Sequence, residues 1–102
     1  MEQKKVHYDF SAEKNRQLIQ ERGISFEEVI TAIAEGAVFD ILPHANQVKY
    51  PHQKMYVLAI GNYVYVVPFV DKDKNSVFLK TIFPNRKLTK QYLGGSDDKE
   101  KT

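Results

Sequence analysis

Polar and apolar residues alternate near the start of the chain and then change to helical spacing. The alternation over residues 5–10 places three apolar side chains on one side, which predicts a short strand. Ser11 follows as a helix N-cap, and Gly23 is placed as the C-cap of a helix from about Ala12 to Glu21. The chain therefore opens with a strand and a helix.

A second helix is predicted directly after the first. Ser25 and Glu28 have the spacing of a capping box, and Ile24 and Val29 are placed as the hydrophobic staple around it. Apolar residues then recur every three or four positions until Gly36, which marks the end. We expect the two helices to form a hairpin that covers one face of a sheet.

The rest of the chain alternates between short apolar runs and turn residues. These runs predict strands over residues 38–42, 55–60, 63–70 and 76–83, and then a short helix over residues 86–93. Gly61-Asn62 has the composition of a two-residue hairpin turn, and Pro68 inside a strand indicates a sheet edge or a bulge. The predicted fold is α+β: a two-helix hairpin packed on one face of an antiparallel four- to five-stranded sheet, with a short C-terminal helix.

Composition fits one small domain. The chain has 102 residues and no cysteine, which excludes a disulfide framework and a thiolate metal site. We expect one domain over residues 1–93 and a disordered, charged tail over residues 94–102. No apolar stretch is long enough for a signal peptide or a membrane span, so we expect a cytoplasmic protein with no membrane contact.

The net charge of +2 is distributed unevenly along the chain. Residues 1–40 contain eight acids and five bases, residues 41–70 contain no acid, and residues 71–96 contain six bases and two acids. This pattern favours a basic face that binds a polyanionic or acidic partner. The alternative is that lysines only keep a strand-rich half of the chain soluble.

Lys80 is the most informative single residue. A two-residue repeat places it on the same strand face as Phe78 and Ile82, so it either guards the sheet or points into a site. Three further bases follow within a turn of helix: Arg86, Lys87 and Lys90. A cluster of this kind can hold a phosphate and stabilise the charge that develops on it.

Other chemistry is sparse. His44 and His52 lie in one polar loop, but no carboxylate lies between Asp40 and Asp71 to complete a metal site, so we expect no metal. No glycine-rich phosphate loop, serine elbow or paired-carboxylate centre is present, and we expect no cofactor. Tyr92 lies close in sequence to the basic cluster and is a candidate proton carrier.

Several segments together resemble one family of toxins. They are Lys14-Asn15, residues 22–29, Pro84, Arg86-Lys87 and Tyr92. On these residues the chain resembles the BrnT family, which is itself similar to the wider RelE/ParE group. The resemblance extends over residues 5–93 and implies a RelE-like sheet with helices on one side, endoribonuclease activity and a ribbon-helix-helix antitoxin as partner.

Two positions depart from the family pattern. Arg22 stands where the family commonly has histidine before the glycine, and Thr81-Ile82-Phe83 stands where it commonly has Ser-Ala-Arg. The resemblance then implies the toxin component of a type II toxin–antitoxin system, a metal-free endoribonuclease that inhibits translation. The implied catalytic residues are Lys80, Arg86, Tyr92 and His52, and the implied RNA-binding residues are Arg22, Lys87, Lys90 and Lys14.

Two other functions are compatible with the same residues. A non-catalytic binding module would use the basic face to hold an acidic partner segment or a nucleic-acid backbone, and its affinity would fall strongly with salt. A small housekeeping domain with no polyanionic target would bind nucleic acid weakly and would not affect growth.

Overall fold

The computed structural model describes residues 6–94, so the predicted charged tail lies outside the described residues from residue 95 onwards. The strands are β1 (His7–Asp9), β2 (Val38–Pro43), β3 (Gln53–Ile60), β4 (Tyr63–Asp73), β5 (Ser76–Leu79) and β6 (Phe83–Pro84). The helices are α1 (Ala12–Arg22), α2 (Phe26–Ala34) and α3 (Arg86–Tyr92). None of these helices is long and apolar enough to cross a membrane.

Local capping fixes where each helix begins and ends. The Ser25 hydroxyl accepts a hydrogen bond from the Glu28 backbone N–H at 3.2 Å, as the capping box predicts. Gly23 ends α1 with a φ of 68°, a left-handed conformation that glycine adopts without steric cost. The Asn85 side chain accepts from the Leu88 N–H at 2.8 Å and so starts α3.

A buried side chain joins the two long helices. The Asn15 carboxamide accepts a hydrogen bond from the Phe26 backbone N–H at 2.7 Å and donates one to Glu27 Oε1 at 2.9 Å. The ring of Phe10 stacks on that of Phe26, with centroids 4.9 Å apart. These contacts fix the orientation of α2 relative to α1, because the Phe26 N–H and the Glu27 carboxylate both lie in the first turn of α2.

The sheet has the order β1-β5-β4-β3-β2, and β6 pairs with β4 beyond the end of β5. The prediction of a purely antiparallel sheet is wrong for β1, which runs parallel to β5 with Tyr8 opposite Val77. The sheet is therefore mixed and has six strands where four to five were predicted. A three-residue alternation contains no information on the direction of a partner strand so distant in sequence.

One face of the sheet forms the main core with α1 and α2. Its buried members include Leu18, Phe26 and Val29 from the helices and Leu58 and Val67 from the sheet. The opposite face, which we call the outer face, is covered in part by α3. There the buried Val57 and Val64 lie outside the core cluster. Tyr92 stacks on Phe39 at 4.4 Å, and the Val64 N–H donates to Thr89 Oγ1 at 2.9 Å.

A bulge interrupts the strand that was predicted over residues 76–83. Leu79 lies opposite Phe69 and Phe83 lies opposite Val66, so four steps on one chain match three on β4. Pro68 explains the position of the break. The Pro68 carbonyl accepts a hydrogen bond from the Lys80 N–H at 2.8 Å, so the Pro68 nitrogen also faces the segment that follows β5. Because proline has no N–H, it cannot donate the second hydrogen bond that a continuous strand would need there.

The bulge also changes which side chains share a face. Ile82 is fully buried with Leu79 in the main core, whereas Phe83 points to the outer face with Lys80. The prediction that Ile82 shares a face with Lys80 is therefore wrong, because one extra residue reverses the alternation. The expectation of an edge at Pro68 is also wrong, since β4 is paired on both sides, but the expected bulge is confirmed.

Candidate functional site

The segment from Lys80 to Lys87 runs beside β4 and carries three cations, Lys80, Arg86 and Lys87, that have no ion pair within residues 6–94. Lys80 bonds to Pro68, Phe83 pairs with Val66, and the Asn85 N–H donates to the Val64 carbonyl at 3.0 Å. The first of these contacts is at Pro68 and the last is at Val64, so they are four residues, or about 13 Å, apart along β4. We call Arg22, Lys80, Arg86 and Lys87 the basic edge.

Arg22, the last residue of α1, reaches this segment from the other side of the sheet. Its Nη1 donates to the Ile82 carbonyl at 2.6 Å, and its Cζ lies 5.5 Å from the centre of the Phe83 ring. A guanidinium has five N–H donors, so a single backbone bond fixes its orientation and leaves others for a ligand. The structure thus brings Arg22 to the basic edge.

Lys80 projects from the bulge into solvent. Its Nζ lies 5.9 Å from the centre of the Phe78 ring, which is a weak cation–π contact. Within residues 6–94 no carboxylate lies within ion-pair distance of Lys80 or Arg86. These cations are therefore free to bind an external anion.

Arg86 and Lys87 are the first two residues of α3, and both are exposed. Lys90 follows Arg86 by four positions and lies on the same side of the helix, one turn further on. The three side chains therefore extend the basic edge along α3. Lys14, in contrast, lies eight residues before Arg22 on α1, about 12 Å away along the helix axis. The structure does not bring Lys14 into the basic edge.

Tyr92 and His52 lie away from Lys80, although Tyr92 is in the same helix as Arg86. Tyr92 stacks on Phe39 of β2. Strand β2 lies three strand spacings, or about 14 Å, from β5, the strand that leads to Lys80. His52 is exposed in the turn before β3. The first residue of β3, Gln53, lies opposite Val70, near the C-terminal end of β4. Their proton-transfer roles stay predictions, since neither contacts Lys80 or Arg22 in this structure.

Other lysines on the sheet are already paired. Lys72 Nζ donates to Asp9 Oδ2 at 2.7 Å, and this bond lowers the pKa of the Asp9 carboxyl and raises the pKa of the Lys72 ammonium. Lys54 lies 3.5 Å from Asp71. Their charges are thus largely compensated, which distinguishes them from Lys80 and Arg86.

The helix-bearing face of the sheet has an acidic cavity. A cavity of about 300 Å³ between α2 and the end of β3 is bordered by Glu27, Glu28 and Glu35. The hydrogen bond from Asn15 lowers the pKa of the Glu27 carboxyl, so this residue remains charged at neutral pH. A phosphate backbone would be repelled here and attracted to the basic edge.

Sequence reasoning missed two features of this site. Asn85 is an ordinary N-cap residue three positions before Leu88, so the cap rule could have identified it. The outward position of Phe83 could not be read from its own strand, because it depends on Pro68 across the sheet. Among residues 6–94 no three potential metal ligands lie together, and the expectation of no metal stays a prediction.

These features define a class of small α+β proteins in which a mixed sheet carries a helix pair on one face and a short helix on the other. The structure of the Brucella abortus ribonuclease toxin BrnT matches with a TM-score of 0.56 and 12% sequence identity, covering 81% of this chain and 97% of that chain. The resemblance to BrnT is thereby confirmed for the fold. No family profile and no curated protein sequence matches the chain.

Proposed function

We propose that this protein is the toxin component of a type II toxin–antitoxin system and acts as a metal-independent endoribonuclease that inhibits translation. The observation that carries the proposal is the basic edge. Within residues 6–94, Arg22, Lys80 and Arg86 have no carboxylate partner, and the fold that carries them is shared with the Brucella abortus ribonuclease toxin BrnT. Unpaired cations next to an outward bulge suit the binding of a phosphate backbone.

The proposed chemistry is an in-line transesterification. The ribose 2′-oxygen attacks the adjacent phosphorus, and the bond from phosphorus to the 5′-oxygen breaks, leaving a 2′,3′-cyclic phosphate and a 5′-hydroxyl. One group accepts the proton of the 2′-hydroxyl and one group protonates the leaving 5′-oxygen. Cations stabilise the negative charge of the crowded phosphorus, which is where electrostatic catalysis contributes most.

The residue roles follow from where the side chains lie. Lys80 and Arg86 hold the reacting phosphate, and Arg22, oriented by its bond to Ile82, positions the neighbouring backbone. Tyr92, in the same helix as Arg86, or His52 is the proposed proton carrier, and its side chain must come within hydrogen-bond distance of the reacting oxygens when RNA binds. Lys87, Lys90 and Lys14 bind phosphates further along the strand.

The proposal also includes a partner and a compartment. A ribbon-helix-helix antitoxin would neutralise the toxin in the cytoplasm, and an acidic, amphipathic segment of it would cover the basic edge. Such a segment matches the charge of Lys80, Arg86 and Lys87, which have no ion pair within residues 6–94. RNA and antitoxin would then compete for one surface.

A non-catalytic binding module is the second candidate. The separation of Tyr92 and His52 from Lys80 favours it, because neither candidate proton carrier contacts Lys80. In that case the basic edge would hold RNA or an acidic segment with an affinity that falls steeply with salt, and no RNA would be cleaved.

Induced expression of the chain in a bacterial host separates the two candidates. Growth and the integrity of total RNA are followed for the parent and for the double variant Lys80→Ala/Arg86→Ala. The matched control is Lys49→Ala/Lys74→Ala, which removes the same charge from two exposed turn lysines away from the basic edge. All proteins are compared at equal soluble expression.

Arrested growth with fragmented RNA in the parent and the control, but not in the Lys80/Arg86 variant, is the expected result. Equal toxicity of all three proteins would show that the basic edge does not carry the activity. Normal growth and intact RNA with the well-expressed parent would favour the binding module.

A further inference from the structure

Two phenylalanine rings share the outer face with the cations of the basic edge. Phe83 is 45% exposed and faces outward because Ile82, its neighbour, is fully buried in the main core. Phe78 is half-buried and lies on the same face, between the core residues Val77 and Leu79. Neither ring stacks on another aromatic side chain of residues 6–94.

Each of these rings has one cation beside it. Arg22 Cζ lies 5.5 Å from the centre of the Phe83 ring, and Lys80 Nζ lies 5.9 Å from the centre of the Phe78 ring. Arg22 is held in place by its bond to the Ile82 carbonyl, so the guanidinium and the Phe83 ring form a fixed pair. The cation lies over one face of each ring, so a base would stack on the other face while the cation holds its phosphate.

The two pairs are separated along β4 by a defined distance. Phe78 lies opposite Val70 and Phe83 lies opposite Val66, which is four residues or about 13 Å. Lys80 lies between them, bonded through its backbone to Pro68. Phe78, Lys80 and Phe83 thus follow one another in a line along β4 on the outer face, and Arg22 reaches Phe83 from the end of α1.

We infer that this line binds unpaired RNA, with bases stacked on Phe83 and Phe78 and phosphates held by Arg22 and Lys80. The inference rests on the proposed function, and it adds that the substrate is single-stranded at this site. Stacking needs a free base face, which a paired and stacked base in a duplex does not offer to a side chain.

The chain contains no tryptophan, which allows a direct optical test. Phe83→Trp introduces a single indole whose fluorescence is quenched when a base stacks on it. The probe is a mixed-sequence 2′-O-methyl RNA, which lacks the attacking hydroxyl and is not cleaved. An abasic oligomer with the same number of phosphates and a duplex of the same sequence are compared with it.

The matched control is Ile41→Trp on the helix-bearing face of the sheet. Ile41 is 51% exposed, close to the exposure of Phe83, but it lies on the edge strand β2 opposite the core residue Tyr56. Binding is measured in parallel from the anisotropy of the labelled oligomers. Phe83→Ala provides a second variant that needs no indole to fold, and we expect it to weaken binding of the single strand at least about fivefold.

The inference predicts quenching of Phe83→Trp by the single strand, little quenching by the abasic oligomer or the duplex, and none in Ile41→Trp. If all three oligomers bind and none quenches, or the duplex quenches as strongly as the single strand, the inference is wrong while phosphate binding stands. An unchanged affinity of Phe83→Ala also contradicts it. If no oligomer binds even at low salt, the proposed function fails as well.

Discussion

The guanidinium of Arg22 donates a hydrogen bond to the backbone carbonyl of Ile82 at 2.6 Å, although 60 positions of the chain separate the two residues. The bond joins the end of α1 to the bulge that carries Lys80 and Phe83. Because the acceptor is a backbone atom, the identity of residue 82 matters only through its burial, whereas the identity of residue 22 matters directly. Arg22 is therefore both a structural tie and a ligand-facing cation.

Arg22→Lys should separate these two roles. Lysine keeps the charge but lacks the planar fork, so we expect the free energy of unfolding to fall by about 1 kcal/mol. Affinity for single-stranded RNA should fall more than it does for Arg16→Lys, an exposed arginine earlier on α1. Urea unfolding and fluorescence anisotropy measure the two effects. Equal RNA affinity of Arg22→Lys and the parent would contradict the positioning role.

Asn15→Ala should destabilise the helix pair strongly. Asn15 is 8% exposed, and its loss leaves the Phe26 N–H without its 2.7 Å acceptor. An unsatisfied buried donor costs about 1–3 kcal/mol. Gln17→Ala on the exposed side of α1 is the control and should change stability by less than about 0.5 kcal/mol. A near-zero effect of Asn15→Ala in urea unfolding would show that the contact does not hold α2.

The acid dependence of stability should depend on Glu27. Its pKa is lowered in the folded protein by the bond from Asn15, so the stabilisation is present above the ordinary pKa of 4.5 and is lost as the pH falls below it. Glu27→Gln removes this titration and should flatten the stability curve between pH 5 and about pH 3. Glu13→Gln, an exposed acid of α1, is the control. An unchanged acid slope in Glu27→Gln would exclude this coupling.

Pro68→Ala tests the account of the bulge. Alanine adds an N–H that faces residues 80–82, which belong to neither β5 nor β6. We expect a loss of about 1–3 kcal/mol in the free energy of unfolding, from an unsatisfied donor. Pro51→Ala in an exposed turn reports the general effect of proline removal, about 0.4–1 kcal/mol. If Pro68→Ala is at least as stable as Pro51→Ala, proline does not determine the break.

Signals within about four residues of one another predicted most of the helices and turns. The capping box at Ser25 and Glu28 and the left-handed Gly23 are examples, because each is completed by its own neighbours in the chain. The hairpin at Gly61 was likewise predicted and has a φ of 64°. Such elements carry their structural information locally.

The errors came from pairs that are distant in sequence. Two helices and three strands lie between Tyr8 and Val77 in the chain. The parallel pairing of these two residues depends on how those elements bring β5 back beside β1. The outward position of Phe83 depends on a missing hydrogen at Pro68. The charge pattern alone was enough to select Lys80 and Arg86 as candidate site residues. The contact of Arg22 with Ile82 could be found only from the folded structure.

RNA cleavage by the purified protein in excess chelator directly tests whether it is a metal-independent endoribonuclease. We expect unmodified single-stranded RNA to be cut to products with 2′,3′-cyclic phosphate and 5′-hydroxyl ends, since the attacking group is the ribose 2′-hydroxyl. The 2′-O-methyl RNA should bind and remain intact, and Lys80→Ala/Arg86→Ala should not cut. Folded protein that binds RNA and leaves it uncut would contradict the enzyme and leave the binding module.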